Sequence, residues 1–126
     1  MTLPEETTMK VMMLILESAE DFAHRNAEGP AAAAYWNEWK AYSATVNDKV
    51  VGGNILDRSS TAATIRVRGG ERQVQDGPFA ESKEALGGYM IFEVETFDEA
   101  VELASACPAA ATGAVELRPI VPMMAG

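Results

Sequence analysis

Residues 10–16, KVMMLIL, form an unbroken apolar run bounded by Lys10 on one side and by Glu17 and Ser18 on the other. The run is too short to cross a membrane and reads as a strand buried on both faces in the middle of a sheet. Such a strand needs a neighbour along each edge and a layer over its faces, so the remaining chain must supply further strands and amphipathic helices. A second β-prone run, YMIFEV, follows at residues 89–94. A length of 126 residues suits one domain. At that size about two-thirds of the unfolded surface is buried on folding, so a core forms without covalent staples. Residues 1–9 are polar, contain Pro4 and show no period. They read as a flexible N-terminal extension, leaving residues 10–126 as the single domain.

The segments between the apolar runs have the required periods. Ser18 and Asp21 resemble a capping box opening a short helix to about Asn26, which Gly29 stops. Pro30 suits a first helical position, and Ala32, Tyr35, Trp36, Trp39, Tyr42, Ser43 and Val46 then recur at helical spacing, so this helix covers a sheet. Gly52, Gly53 and Asn54 read as a flexible point before a short strand around Ile55 and Leu56. Alternation from Thr64 to Arg68 puts Ile65 and Val67 inward and Arg66 and Arg68 outward, and Gly69 and Gly70 make the turn of a hairpin. Its return strand, residues 72–75, ends at the turn formed by Asp76, Gly77 and Pro78. Residues 80–86 are polar, and Gly87 and Gly88 lead into the second apolar run. Thr96 and Glu99 cap a second amphipathic helix through Cys107, ended by Pro108, and a last strand over residues 115–121 carries Pro119, which places it near an edge or a bulge. This order fits an α+β sandwich of the ferredoxin-like kind, an antiparallel sheet with its helices on one face.

Charge and residue counts narrow the partners. Ten Lys and Arg against 19 Asp and Glu leave a net charge of -9, which disfavours direct nucleic-acid binding and an acidic membrane surface. One cysteine excludes an internal disulfide framework and suits a reducing, cytoplasmic setting, and the N-terminus carries acids where a signal peptide carries bases. No phosphate-loop or dinucleotide glycine motif occurs, and one histidine with one cysteine makes a transition-metal site improbable. The expectation is therefore no cofactor and no metal.

From Arg66 onward the chain resembles the YCII-related family, in the branch named for its DGPF motif. The resemblance rests on Asp76-Gly77-Pro78-Phe79 followed by Ala80-Glu81-Ser82-Lys83-Glu84, on Gly87-Gly88-Tyr89, on Asp98-Glu99-Ala100, and on Pro108-Ala109-Ala110 with Gly113 and Val115 through Pro119. It implies a ferredoxin-like fold that pairs into a dimeric α+β barrel. Pairing has a physical motive too, because one-sided helices leave a sheet face bare. Many members stand beside or are fused to extracytoplasmic-function sigma factors, so a sigma-factor association is one implied partner. Related barrels bind or transform small organic molecules, often aromatic ones.

Asp76 is the first candidate for chemistry, since a carboxylate at a strand end can be held rigidly as a general acid or base; as an Asx-turn residue it would be structural. Glu81, Lys83 and Glu84 bring acids and a base to one rim, where Lys83 could anchor an anion, yet charged loops are more often solvated. Arg118 and Glu116 share a face of the last strand and suit an ion pair or a carboxylate clamp. Arg66 and Tyr89 complete the ligand-binding candidates. His24 is the one histidine and a possible base; broader relatives pair a histidine with an aspartate near the first helix, and no matched partner stands here. The aromatic stripe suits a pocket but is ordinarily core. Three readings follow: a homodimer binding a small molecule near the DGPF motif, a cofactor-free enzyme using Asp76 on a small organic substrate, and an accessory protein in sigma-factor-linked regulation.

Overall fold

The first apolar run lies in strand β1 (Met9–Ser18) at the centre of a four-stranded sheet. In the computed structural model residues 8–80 and 82–122 are described, so Glu81 and most of the N-terminal extension lie outside the described residues. Helices α1 (Ala19–Asn26) and α2 (Pro30–Val46) follow, then β2 (Val50–Ile55), the hairpin strands β3 (Ala63–Arg68) and β4 (Glu71–Asp76), β5 (Glu84–Val94), α3 (Phe97–Ser105), α4 (Pro108–Thr112) and β6 (Ala114–Pro119). The sheet order is β2-β5-β1-β6, and every neighbouring pair is antiparallel. Two split β-α-β units therefore interleave, with β5 between β1 and β2 and with β1 between β5 and β6, which is the ferredoxin-like arrangement.

The alternation of β1 decides where the core sits. Val11, Met13 and Ile15 point at the helices and pack with Phe92 and Val94 of β5, Tyr42 and Val46 of α2, and Ala100 and Ala104 of α3. Met12, Leu14 and Leu16 point the other way and are only half-buried, because no helix among the described residues covers that face. The run is thus apolar on both faces, while one chain covers only one of them.

Four local expectations change. Gly52 and Gly53 belong to β2, paired with Ile91 and Met90 of β5, and form no flexible point. A side chain cannot stand at Gly53, where a Cβ would lie 2.7 Å from the Tyr89 carbonyl oxygen. The strand expected from Tyr89 begins at Glu84, with Gly87 the extra residue of a bulge opposite Ile15 and Leu16. Pro108 opens α4 as well as ending the helix before it. In the hairpin, Ile65, Val67 and Val74 share one face and stay 62%, 59% and 56% exposed, so none of the described residues makes that face inward. Its turn is as expected, with φ of 59° at Gly69 and 81° at Gly70, the left-handed pair that a type I′ turn needs.

Candidate ligand-binding cleft

Glu17 continues the inward alternation of Val11, Met13 and Ile15 and is 3% exposed, a carboxylate at a position whose predecessors are apolar. A charge so placed must be paired and hydrogen-bonded. The capping box supplies the partner. Ser18 Oγ accepts from the Asp21 amide at 3.1 Å, and Asp21 accepts from the Ser18 amide at 3.2 Å. Asp21 also accepts a bond from Thr112 Oγ1 at 2.7 Å, tying α1 to α4. Two turns on, Arg25 Nη1 lies 3.2 Å from Glu17 Oε1 and donates to the Gly87 carbonyl at 3.3 Å. Its other terminal nitrogen donates to the Leu56 carbonyl. From α2, the Tyr35 hydroxyl donates to Glu17 Oε2, and Trp36 Nε1 donates to the Arg25 carbonyl at 3.3 Å. Burial first, and the bond to Glu17 second, raise the Tyr35 phenol far above its ordinary value, so it stays a proton donor.

Gly87 makes this packing possible. A Cβ there would lie 2.3 Å from Glu17 Oε1 and 3.1 Å from Arg25 Nη1. Gly53 and Gly88 likewise put no side chain into the space under α2, and a cleft of about 610 Å³ lies there. Tyr35, Trp36 and Trp39 wall it from the helix; Ile15, Val50, Ile55 and Met90 line the sheet side, Glu17 lies among the lining, and Lys40 and Ser43 belong to the helix wall. This size and make-up, mostly apolar with few polar groups, suit a small organic molecule. The aromatic stripe of α2 is accordingly divided: Tyr42 is core, its hydroxyl bonded to the Leu103 carbonyl at 2.8 Å, while Tyr35, Trp36 and Trp39 face the cleft.

The residues singled out in the sequence do not converge on one place. Tyr89 belongs to the strand that lines the cleft, but its side chain, opposite Leu14, is on the other face of the sheet, where its hydroxyl accepts from Asn54 Nδ2 at 2.8 Å. Lys83 lines a second cavity, of about 580 Å³, together with Arg58. Glu84 opens β5 opposite Ser18. Arg66 lies on the hairpin, 3.4 Å from Gln75 Oε1 and with its guanidinium 5.3 Å from the Phe79 ring centre. Arg118 Nε meets Glu116 Oε2 at 2.5 Å on the exposed edge strand, the ion pair that their spacing allows. His24 sits 3.9 Å from Glu20, one turn back on α1. Asp76 is the exposed last residue of β4, opposite Ala63. The turn after it is held by the Gly77 amide to the Ala62 carbonyl and by Thr64 Oγ1 to the Gly77 carbonyl, without an Asx bond from Asp76 among the described residues. Glu17 and Arg25 were missed. The available signal was the alternation of β1, which carries past Ile15 onto an acid.

Among the described residues no three His, Cys, Asp or Glu side chains are gathered to hold a metal ion, and no helix is long and apolar enough to cross a membrane. The chain is 42% identical over 66 residues to an uncharacterised protein of Rhizobium meliloti (strain 1021), covering 49% of this chain and about half, 52%, of the relative's length. It is similar in structure to 5-chloro-2-hydroxyhydroquinone dehydrochlorinase (TftG) from Burkholderia phenoliruptrix AC1100, solved in complex with 2,5-dihydroxybenzoquinone. That likeness has a TM-score of 0.48 and 17% identity, covering 87% of this chain and 91% of that one. The model of the YCII-related domain matches residues 9–124, from the first residue of β1 to beyond β6, and the chain belongs to that family.

Proposed function

We propose that this protein binds a small, predominantly apolar aromatic molecule in the cleft between α2 and the β2–β5 side of the sheet, with Glu17 as its polar anchor. The observation that carries this reading is the aromatic-walled cleft of about 610 Å³ that reaches a buried carboxylate. Tyr35 and Arg25 hold that carboxylate in place, so a ligand donor meets an oriented acceptor without the cost of ordering it. Asp76 lies outside the cleft, and the proposal assigns it no chemistry. The protein works as a homodimer, because β1 leaves Met12, Leu14 and Leu16 without a covering layer.

Trp36 and Trp39 are the chain's two tryptophans and both line the cleft, so intrinsic fluorescence reports occupancy directly. Titration with a panel of substituted phenols and indoles is expected to give saturable quenching for at least one member. Ser43→Phe, which fills the cleft from an exposed helical position, weakens that binding at least tenfold. Linear quenching across the whole panel, or a saturable change that Ser43→Phe leaves untouched, would show that the cleft is not the binding site.

A further inference from the structure

The second cavity, of about 580 Å³, lies beside α1 and differs in chemistry from the aromatic cleft. Two loops distant in sequence face each other across it: Arg58, Ser59 and Ser60 follow β2, and Ser82 and Lys83 precede β5. Phe22 and the alanines of α1 form its apolar wall. Its one acidic lining residue is Glu17, which Arg25 and Tyr35 already engage. Among the described residues neither Arg58 nor Lys83 has a carboxylate within ion-pair distance. Asp57 beside Arg58 accepts from the Arg58 amide at 2.7 Å and leaves the guanidinium uncommitted. In a chain of net charge -9, two cations without a carboxylate partner that line one concavity oppose the general bias of the surface.

We propose that this cavity is an anion-binding site for a phosphate or carboxylate group, separate from the aromatic cleft. Arg58 offers a planar fork of donors and Lys83 a point charge, which together suit an anion with several oxygens. The Ser59 and Ser60 hydroxyls add neutral donors. The Arg58 backbone is fixed, because its carbonyl accepts from the Thr61 amide at 3.0 Å and from Thr61 Oγ1 at 2.8 Å. Ser82 acts on the opposite loop, where its hydroxyl donates to the Glu84 carbonyl and so positions Lys83 rather than the ligand. The site needs local charge because the field of the whole molecule repels anions at long range.

The test is an amide-resolved NMR titration of the full ¹⁵N-labelled chain with sodium phosphate, and separately with sodium benzoate, each against sodium chloride at matched ionic strength. Saturable shifts centred on Ser59, Ser60, Ser82 and Lys83 are expected with at least one of the two probes, and which probe saturates identifies the anion class. In the double variant Arg58→Gln/Lys83→Gln the apparent affinity falls at least tenfold, while the other resonances hold their positions because both side chains are exposed. Shifts that match the chloride control for both probes would overturn the assignment. So would shifts equally large at the hairpin arginines Arg66, Arg68 and Arg72, or saturation unchanged in the double variant.

Discussion

At the residue scale the fold turns on Glu17 and the glycine that makes room for it. Replacing Glu17 by Ala leaves Arg25 buried without its carboxylate, and removing one partner of such a pair costs about 3–5 kcal/mol. Tyr35→Phe deletes one donor and leaves the ion pair, so its cost is smaller, about 1.5–3 kcal/mol for a bond to a charged acceptor. Urea unfolding of the two variants checks the order, and an equal loss for Tyr35→Phe would mean that the ion pair adds nothing to stability. Gly87→Ala forces a methyl against Glu17 and Arg25 and is expected to destabilise by about 1–3 kcal/mol, with weakened quenching in the cleft. Little of this was legible in sequence. Glu17 beside the cap residue Ser18 reads as the polar end of a strand, and its burial depends on side chains that arrive from α1 and α2. Cys107 carries a second prediction. Burial pushes its thiol up from the ordinary 9.0 to about 11. Above pH 9 the unfolded chain therefore releases a proton that the folded chain keeps, and stability falls until the pH passes about 11. A gap of that size is worth about 3 kcal/mol. Cys107→Ala removes the part of the alkaline loss that begins near pH 9, read from urea midpoints at pH 8 and 10, while the raised Tyr35 and Tyr42 phenols continue the decline above pH 10.

At the element scale, what was legible is what local chemistry decides. The capping box at Ser18 and Asp21 forms as expected, and Ser18→Ala is expected to cost about 1 kcal/mol in a thermal or urea melt, more than a surface serine elsewhere. At Thr96 only half the box forms: Thr96 Oγ1 accepts from the Glu99 amide, but the Glu99 carboxylate reaches the Glu95 amide instead of that of Thr96. Periodicity identified the span of α2 and the wide apolar face it presents, yet could not divide that face into core and cleft wall. The division is made by β2 and β5, whose glycines leave open space along the faces that Tyr35, Trp36 and Trp39 turn to the sheet. Those same glycines misled the reading of β2, since Gly52, Gly53 and Asn54 carry a turn-like composition in a segment that pairs fully with β5. The hairpin shows the opposite failure. Its alternation is clean and its pairing follows from the Gly69-Gly70 turn, but alternation names a face without saying what covers it, and here the face with Ile65, Val67 and Val74 stays open.

For the whole molecule, the bare side of the sheet sets the strongest expectation. Met12, Leu14 and Leu16 of β1 meet Ile91, Tyr89 and Leu86 of β5 on the side away from the helices, so the two central strands present a row of apolar side chains. Covering that row with a second copy removes it from water, and a two-fold pair sets the same row of each copy against the other. Sedimentation equilibrium at micromolar concentration is expected to give the mass of two chains, and Leu14→Glu to give one chain with its far-UV dichroism retained. A wild-type chain that sediments as 13.5 kDa throughout the micromolar range rules the dimer out. Charge supplies an independent sign. Two chains of -9 bring -18 together, so added salt screens a repulsion and the dimer tightens between about 20 and 500 mM NaCl, the reverse of an interface built on ion pairs. The aromatic cleft lies on the helix side, away from the bare row, and α2, β1, β2 and β5 of one chain supply its lining. Binding and pairing are therefore separable: the Leu14→Glu monomer is expected to keep the saturable quenching of Trp36 and Trp39, and its loss would mean that the partner copy shapes the cleft.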